Sequence, residues 1–123
     1  MLSPLEGYLR VAEGLLDGAP DAASAWNFGP AESDARPAGW VVERVAERWP
    51  GGLEVRHGDA DAAAGEAPAL RLDAARARER LGWAPRWDLD AALDATVSWY
   101  AAYRDKSDMR AETLAQIAAY ASA

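Results

Sequence analysis

The sequence predicts a mixed α/β fold that is mainly helical, with about five helices and two or three short strands in a single unit spanning residues 1–123. Three observations point there. Apolar residues recur at helical spacing in five stretches that are bounded by Pro, Gly or Asp. Between the stretches lie short apolar or alternating runs, too short for helices and bounded by turn residues. A length of 123 residues suits one domain with a modest core and is too short for a dinucleotide-binding domain plus a substrate domain.

The first helix is expected from Ser3-Pro4-Leu5-Glu6, read as a capping box with proline at the first helical position, where its missing N–H costs nothing. Leu5, Leu9, Ala12 and Leu16 follow at helical spacing, and Gly18 closes the segment. Ala25-Trp26-Asn27-Phe28, bounded by Gly29-Pro30, reads as a buried strand. After a polar loop over residues 31–38, Trp40, Val41, Val45, Ala46 and Trp49 form a helix stripe that stops at Pro50-Gly51-Gly52. Leu53, Val55 and His57 alternate with Glu54 and Arg56 as a half-buried strand, residues 58–67 form a small acidic loop, and Leu70 and Leu72 flank Arg71 in a second alternating piece. Asp73 is placed to cap the next helix, Gly82 to end it in the left-handed conformation, and Pro85 to prevent its resumption. Asp88 then caps a helix whose inward face carries Leu89, Ala92, Leu93, Thr96, Val97 and Tyr100. A last helix beyond Asp108 has Met109, Leu114, Ile117 and Tyr120 as its apolar positions.

Half of the residues are apolar, but many are alanine, so the six tryptophans must supply much of the buried area at roughly 200 Å² each. The net charge of −7 repels phosphate backbones, which argues against a nucleic-acid partner. Cysteine is absent, which excludes disulfides and thiolate metal sites. His57, the single histidine, has no second ligand at metal spacing and is expected to be a strand-end residue. The acids Asp59, Asp61 and Glu66 lack the glycine and ligand positions of a calcium loop. No apolar run approaches membrane-spanning length and no signal-peptide pattern is present, so the expected location is cytoplasmic.

The corner Leu81-Gly82-Trp83-Ala84-Pro85-Arg86-Trp87, followed by a helix ending in Trp99-Tyr100, resembles the C-terminal end of the extended short-chain dehydrogenase/reductases. Among these the sequence is most similar to the CDP-glucose 4,6-dehydratases. Their "V-L-x-P-L-x-G-Y-L" helix start is matched by Leu2, Pro4, Leu5, Gly7, Tyr8 and Leu9, and "WNFGP" by Trp26 to Pro30. "W-[IV]-V-E" corresponds to Trp40 to Glu43, and "HEA-x-x-L-x-LD-x-x-x-A" to Glu66, Ala67, Leu70, Leu72, Asp73 and Ala77. "R-LGW-P-RW-L" is matched over Arg80 to Leu89 and the tail "DMR-x-x-TL-x-QI" over Asp108 to Ile117. Six pieces in order, along the whole chain, are a specific signal.

The resemblance implies the C-terminal substrate-binding lobe of an NAD-dependent enzyme that converts CDP-glucose to its 4-keto-6-deoxy product with loss of water. The family needs a glycine-rich turn for the NAD pyrophosphate and a Tyr-x-x-x-Lys pair as base. Neither occurs in these 123 residues: the single lysine is Lys106, four residues after Ala102. The chain is therefore expected to lack the Rossmann domain, to bind no NAD or metal itself and not to be catalytic alone, its partners being the nucleotide sugar and the Rossmann domain of the parent enzyme. Of the substrate contacts, the resemblance places Asn27 and Glu66 at the nucleotide. Arg71, in the same element as Glu66, has the planar fork to pair with a phosphate. The bland readings are a turn-holding Asn27 and a solvated Arg71. The family's His before Glu66 is Gly65 here, which thins the contact set. The alternatives are the lobe of another sugar-nucleotide dehydratase or epimerase, or a small non-enzymatic domain whose Trp-rich face binds a partner protein.

Overall fold

A computed structural model describes residues 1–56 and 72–123. Five α-helices follow in order: α1 (Leu2–Leu16), α2 (Ala38–Arg48), α3 (Ala75–Leu81), α4 (Leu89–Arg104) and α5 (Met109–Ala121). A 3₁₀ turn over Glu32–Asp34 precedes α2. The helix count matches expectation and the strands do not.

No strand is present among the described residues, so the mixed α/β class is corrected to an all-helical one. Residues 25–30 and 53–56 form no regular secondary structure, and no backbone hydrogen bond joins the two stretches. The alternation at Trp26 and Phe28 signals burial of one side, and both side chains do pack on the Ala74, Ala77 and Trp83 cluster. Helices cover that side, and without a neighbouring extended chain a strand has nothing to pair with. Leu72, from the third expected strand, pairs with no strand among the described residues and is about half exposed. His57, the acidic loop 58–67 and Leu70 lie outside the described residues.

The start of α1 also differs. The helix begins at Leu2, with Met1 in the N-cap position and no side-chain cap, so Ser3 sits inside the first turn. Pro4 is tolerated there because the first backbone bond is Leu5 N–H to the Met1 carbonyl, at 3.4 Å. Glu6, released from a capping role, turns toward the rest of the chain.

The corner forms as its residues dictate. Gly82 adopts φ +58°, ψ 25°, and the Trp83 N–H closes the turn on the Ala77 carbonyl at 3.2 Å. The N-cap of α3 is Ala74, with no side-chain cap, and Asp73, one residue earlier, accepts from the Ala75 N–H at 2.8 Å, whereas Asp88 caps α4 as expected, accepting from the Ala91 N–H at 2.8 Å. Asp108 caps α5 in the same way, accepting from Arg110 and Ala111.

Two small packed regions result. In the first, α1 and α3 enclose Ala74, Ala77 and Trp83, the last of which is 1% exposed and donates its indole N–H to the Ser3 carbonyl at 2.9 Å. In the second, α4 packs on α2 and α5 through Leu93 and Val97. Arg48 of α2 clamps Asp90 and Asp94, one turn apart on α4. Gln116 donates to the Ala95 carbonyl at 2.7 Å, and the Trp99 indole to the Thr113 hydroxyl at 3.0 Å, fixing α5 against α4. Of the six tryptophans Trp83 is the fully buried anchor; the other five are half-buried.

Candidate functional site

The site suggested by the sequence centres on Asn27. It lies in the irregular segment that the Trp26 and Phe28 side chains pin down. The Trp26 indole N–H bonds the Ala22 carbonyl at 3.0 Å, and the Arg76 guanidinium lies 4.7 Å from the centre of the Trp26 ring. Phe28 meets Trp83 edge-on at 5.0 Å and Tyr8 at 5.6 Å. On the other side its ring presses on Gly7, where a Cβ would stand 2.4 Å from two ring carbons. Gly29 is buried against Leu72, whose Cβ is 3.1 Å from where a glycine Cβ would be.

This packing lays residues 26–29 alongside residues 72–74. The Asn27 side chain is exposed, and its Nδ2 donates to the Asp73 carbonyl at 3.2 Å. That bond ties the Asn27 segment to the residue just before the N-cap of α3, which is the structural role weighed against ligand contact. Among the described residues the Asn27 Oδ1 accepts no hydrogen bond, so the amide presents an acceptor to solvent. Glu66 and Arg71 lie outside the described residues.

A polar centre that sequence reasoning missed is built around Glu6. Its carboxylate accepts from Arg10 at 2.9 Å, from Tyr120 Oη at 2.9 Å and from Arg86 at 3.3 Å. Arg86 also donates to the Ala121 carbonyl at 3.2 Å, and Arg10 to the Leu81 carbonyl at 3.1 Å. The network ties α1, the corner and the end of α5 together. Burial raises the Glu6 pKa, but the hydrogen bonds from Arg86, Arg10 and Tyr120 outweigh it and hold the carboxyl below its ordinary value. Arg10 is a local i,i+4 partner, but Arg86 and Tyr120 stand 80 and 114 residues away, and no local pattern signals them.

Among the described residues no group of three or more His, Cys, Asp or Glu side chains is placed to hold a metal ion. No helix there is long and apolar enough to cross a membrane. A shallow depression of about 220 Å³ is lined by Gly14, Ala22, Trp26, Arg80 and Leu81, on the α1–α3 side of the Asn27 segment. The segment presents an amide acceptor at Asn27 and an arginine on the Trp26 face.

No family model matches the sequence. The CDP-glucose 4,6-dehydratase of Salmonella typhimurium is 34% identical over all 123 residues. The match takes up 34% of that enzyme, so the chain spans about a third of the length of the curated relative it resembles.

Proposed function

We propose that this chain is the C-terminal nucleotide-sugar-binding part of a CDP-glucose 4,6-dehydratase-like enzyme. The observation that carries the reading is the end-to-end match to the Salmonella enzyme, which runs through every element of the chain instead of resting on one motif. The geometry adds support at Asn27. Its exposed Oδ1 suits the amino group of a base or a ribose hydroxyl, and its backbone is fixed by Trp26, Phe28 and Gly29. Preorganisation of this kind lowers the entropy lost on binding.

The 123 residues contain neither the glycine-rich turn nor the Tyr-x-x-x-Lys pair. They do not fit NAD, and no step of the reaction is assigned to this chain. In this reading NAD and the hydride and proton transfers belong to the Rossmann portion of the parent enzyme.

Isothermal titration of CDP-glucose onto the purified chain tests the reading. Expected is binding tighter than that of GMP, weakened about tenfold by Asn27→Ala, in line with the loss of one hydrogen bond to a ligand. CDP-glucose binding no tighter than GMP refutes it.

A further inference from the structure

Most arginines among the described residues hold a carboxylate; Arg48 clamps Asp90 and Asp94, and Arg86 meets Glu6. Arg76 does not. It is exposed, forms no ion pair with a described residue and donates no hydrogen bond to one, and its guanidinium rests 4.7 Å from the centre of the Trp26 ring. Carboxylates stand three residues away on either side, at Asp73 and Glu79, yet neither pairs with it; Asp73 instead accepts from the Ala75 N–H. The cation is therefore held over an aromatic face with its N–H donors unspent.

The platform beneath it is fixed. The Trp26 indole N–H bonds the carbonyl of Ala22, which is 4% exposed, and the next residue is Asn27, whose amide is tied to the Asp73 carbonyl. One turn further along α3, Arg80 lines the depression beside Trp26, and its carboxylate partner Asp21 stands off at 3.7 Å with both side chains largely exposed. An exposed pair of that kind is weak. Side chains four residues apart on a helix are neighbours, and like charges so placed repel, so Arg76 and Arg80 together carry a local cost that an anion relieves. Arg36 offers a contrast. It lies over Trp40 at 5.6 Å but shares that ring with Arg44, which brings the Glu47 carboxylate to 2.9 Å of its own guanidinium.

We infer that Arg76, seated on Trp26 and flanked by Arg80, is an anion site that takes phosphoryl oxygens. Resting on the nucleotide-binding reading of Asn27, the ligand class is a nucleoside diphosphate: the Asn27 amide takes a polar edge of base or ribose, and the arginine takes a phosphate. A planar guanidinium meets two phosphoryl oxygens at once, and charge-assisted bonds of this kind are about twice as strong as neutral ones. Holding the guanidinium on Trp26 before the ligand arrives lowers the side-chain entropy lost on binding. The net charge of −7 opposes a long polyanion, whereas a single diphosphate meets the local arginine pair.

Titration of the chain with inorganic pyrophosphate, cytidine and CDP-glucose at constant ionic strength, followed at the Trp26 indole N–H resonance, is the test. Pyrophosphate alone is expected to shift that resonance, and CDP-glucose to bind more tightly than cytidine. Arg76→Gln should abolish the pyrophosphate shift and weaken CDP-glucose about tenfold while leaving cytidine unchanged. Its circular dichroism should match wild type, since Arg76 is exposed. Arg76→Lys keeps the charge without the fork and should recover part of the loss. Arg78→Gln removes the same charge from the same helix and should change no affinity. Pyrophosphate that leaves the Trp26 resonance in place overturns the inference, as does an Arg76→Gln chain that binds CDP-glucose like wild type. An Arg78→Gln chain that loses as much as Arg76→Gln overturns it too, by reducing the effect to net charge. Pyrophosphate binding that depends on Arg76, in a chain that takes neither cytidine nor CDP-glucose, refutes the reading of Asn27 instead and leaves an anion site for free phosphate.

Discussion

Replacing Gly7 with alanine sets two effects of known size against each other. Gly7 is in the interior of α1, where alanine is favoured over glycine by about 1 kcal/mol. On propensity alone the substitution stabilises the chain. The added Cβ, however, would stand 2.4 Å from Cδ1 and Cε1 of Phe28, against an ordinary carbon–carbon separation of about 3.5–4.0 Å. The ring must retreat by about 1 Å, and it is held between Tyr8 and Trp83. Trp83 cannot follow, being fully buried and hydrogen-bonded to Ser3. Overpacking of this kind costs about 1–3 kcal/mol. Taking the middle of that range, the net effect is a loss of about 1 kcal/mol, or roughly 4 °C in melting temperature for a chain of this size. Urea denaturation followed by tryptophan fluorescence and circular dichroism reads the difference. Two controls fix the interpretation. Gly39→Ala meets nothing within 4 Å and should be neutral or stabilising, and Gly7→Ala with Phe28→Leu should recover most of the loss. A Gly7→Ala chain as stable as wild type refutes the packing of Phe28 on α1.

Two further predictions concern the corner and its network. Glu6→Gln should destabilise by about 1 kcal/mol near neutral pH, because it removes the charge from hydrogen bonds with two arginines. The folded carboxyl titrates below the ordinary 4.5, so its contribution is complete above that value and disappears as pH falls through the folded pKa. The stabilities of the two proteins should therefore converge in acid, and parallel stability curves down through that window would count against the network. Gly82→Ala should cost about 1 kcal/mol from the left-handed backbone at φ +58°, with Gly82→Asn costing less. The nearest side-chain atom to the new Cβ is Arg10 Nη1 at 3.9 Å, so equal losses for alanine and asparagine would show that contact, not backbone strain, decides the effect.

Features set within one turn of chain were legible in the sequence. Gly82 and Asp88 act as read, because capping is decided by a residue's own backbone preference and the N–H groups two or three positions away, whereas Asp73 stands one residue before the N-cap of α3 and bonds only the Ala75 N–H. The run Ala25 to Phe28 reads as a buried strand; Trp26 and Phe28 do pack inward, but Ala25 and Asn27 are exposed and no strand forms, since strand pairing needs a second segment that no single run reveals. Ser3-Pro4-Leu5-Glu6 failed as a capping box for a related reason. The local pattern allows Glu6 to reach back, but Arg86 and Tyr120, brought near by the fold, offer a charged and a neutral donor that a backbone N–H cannot match. On α5, Tyr120 is buried while Leu114 and Ile117 remain about half exposed; helical spacing gives the face but not what covers it. Asn27 was found through a resemblance, and its bond to the Asp73 carbonyl joins two segments whose proximity no spacing records.

The corner from Gly82 to Asp88, first a family signature, acts mechanically through α1. Arg10 grips its start at the Leu81 carbonyl, Ser3 receives the Trp83 indole, and Glu6 holds Arg86 near its end. One helix face thereby fixes the corner, and through Gly7 it also supports Phe28, the neighbour of Asn27. On the outer face of the same helix Leu9 and Leu16 are exposed among the described residues. A shift of α1 reaches the candidate site through the Gly7–Phe28 contact, so Gly7→Ala should weaken CDP-glucose binding as well as folding. Leu9→Glu with Leu16→Glu, confined to the outer face, should leave that binding unchanged. If both variants lowered affinity equally, α1 would have to move as a whole, and the anchoring seen at Ser3, Glu6 and Arg10 would be insufficient to hold it.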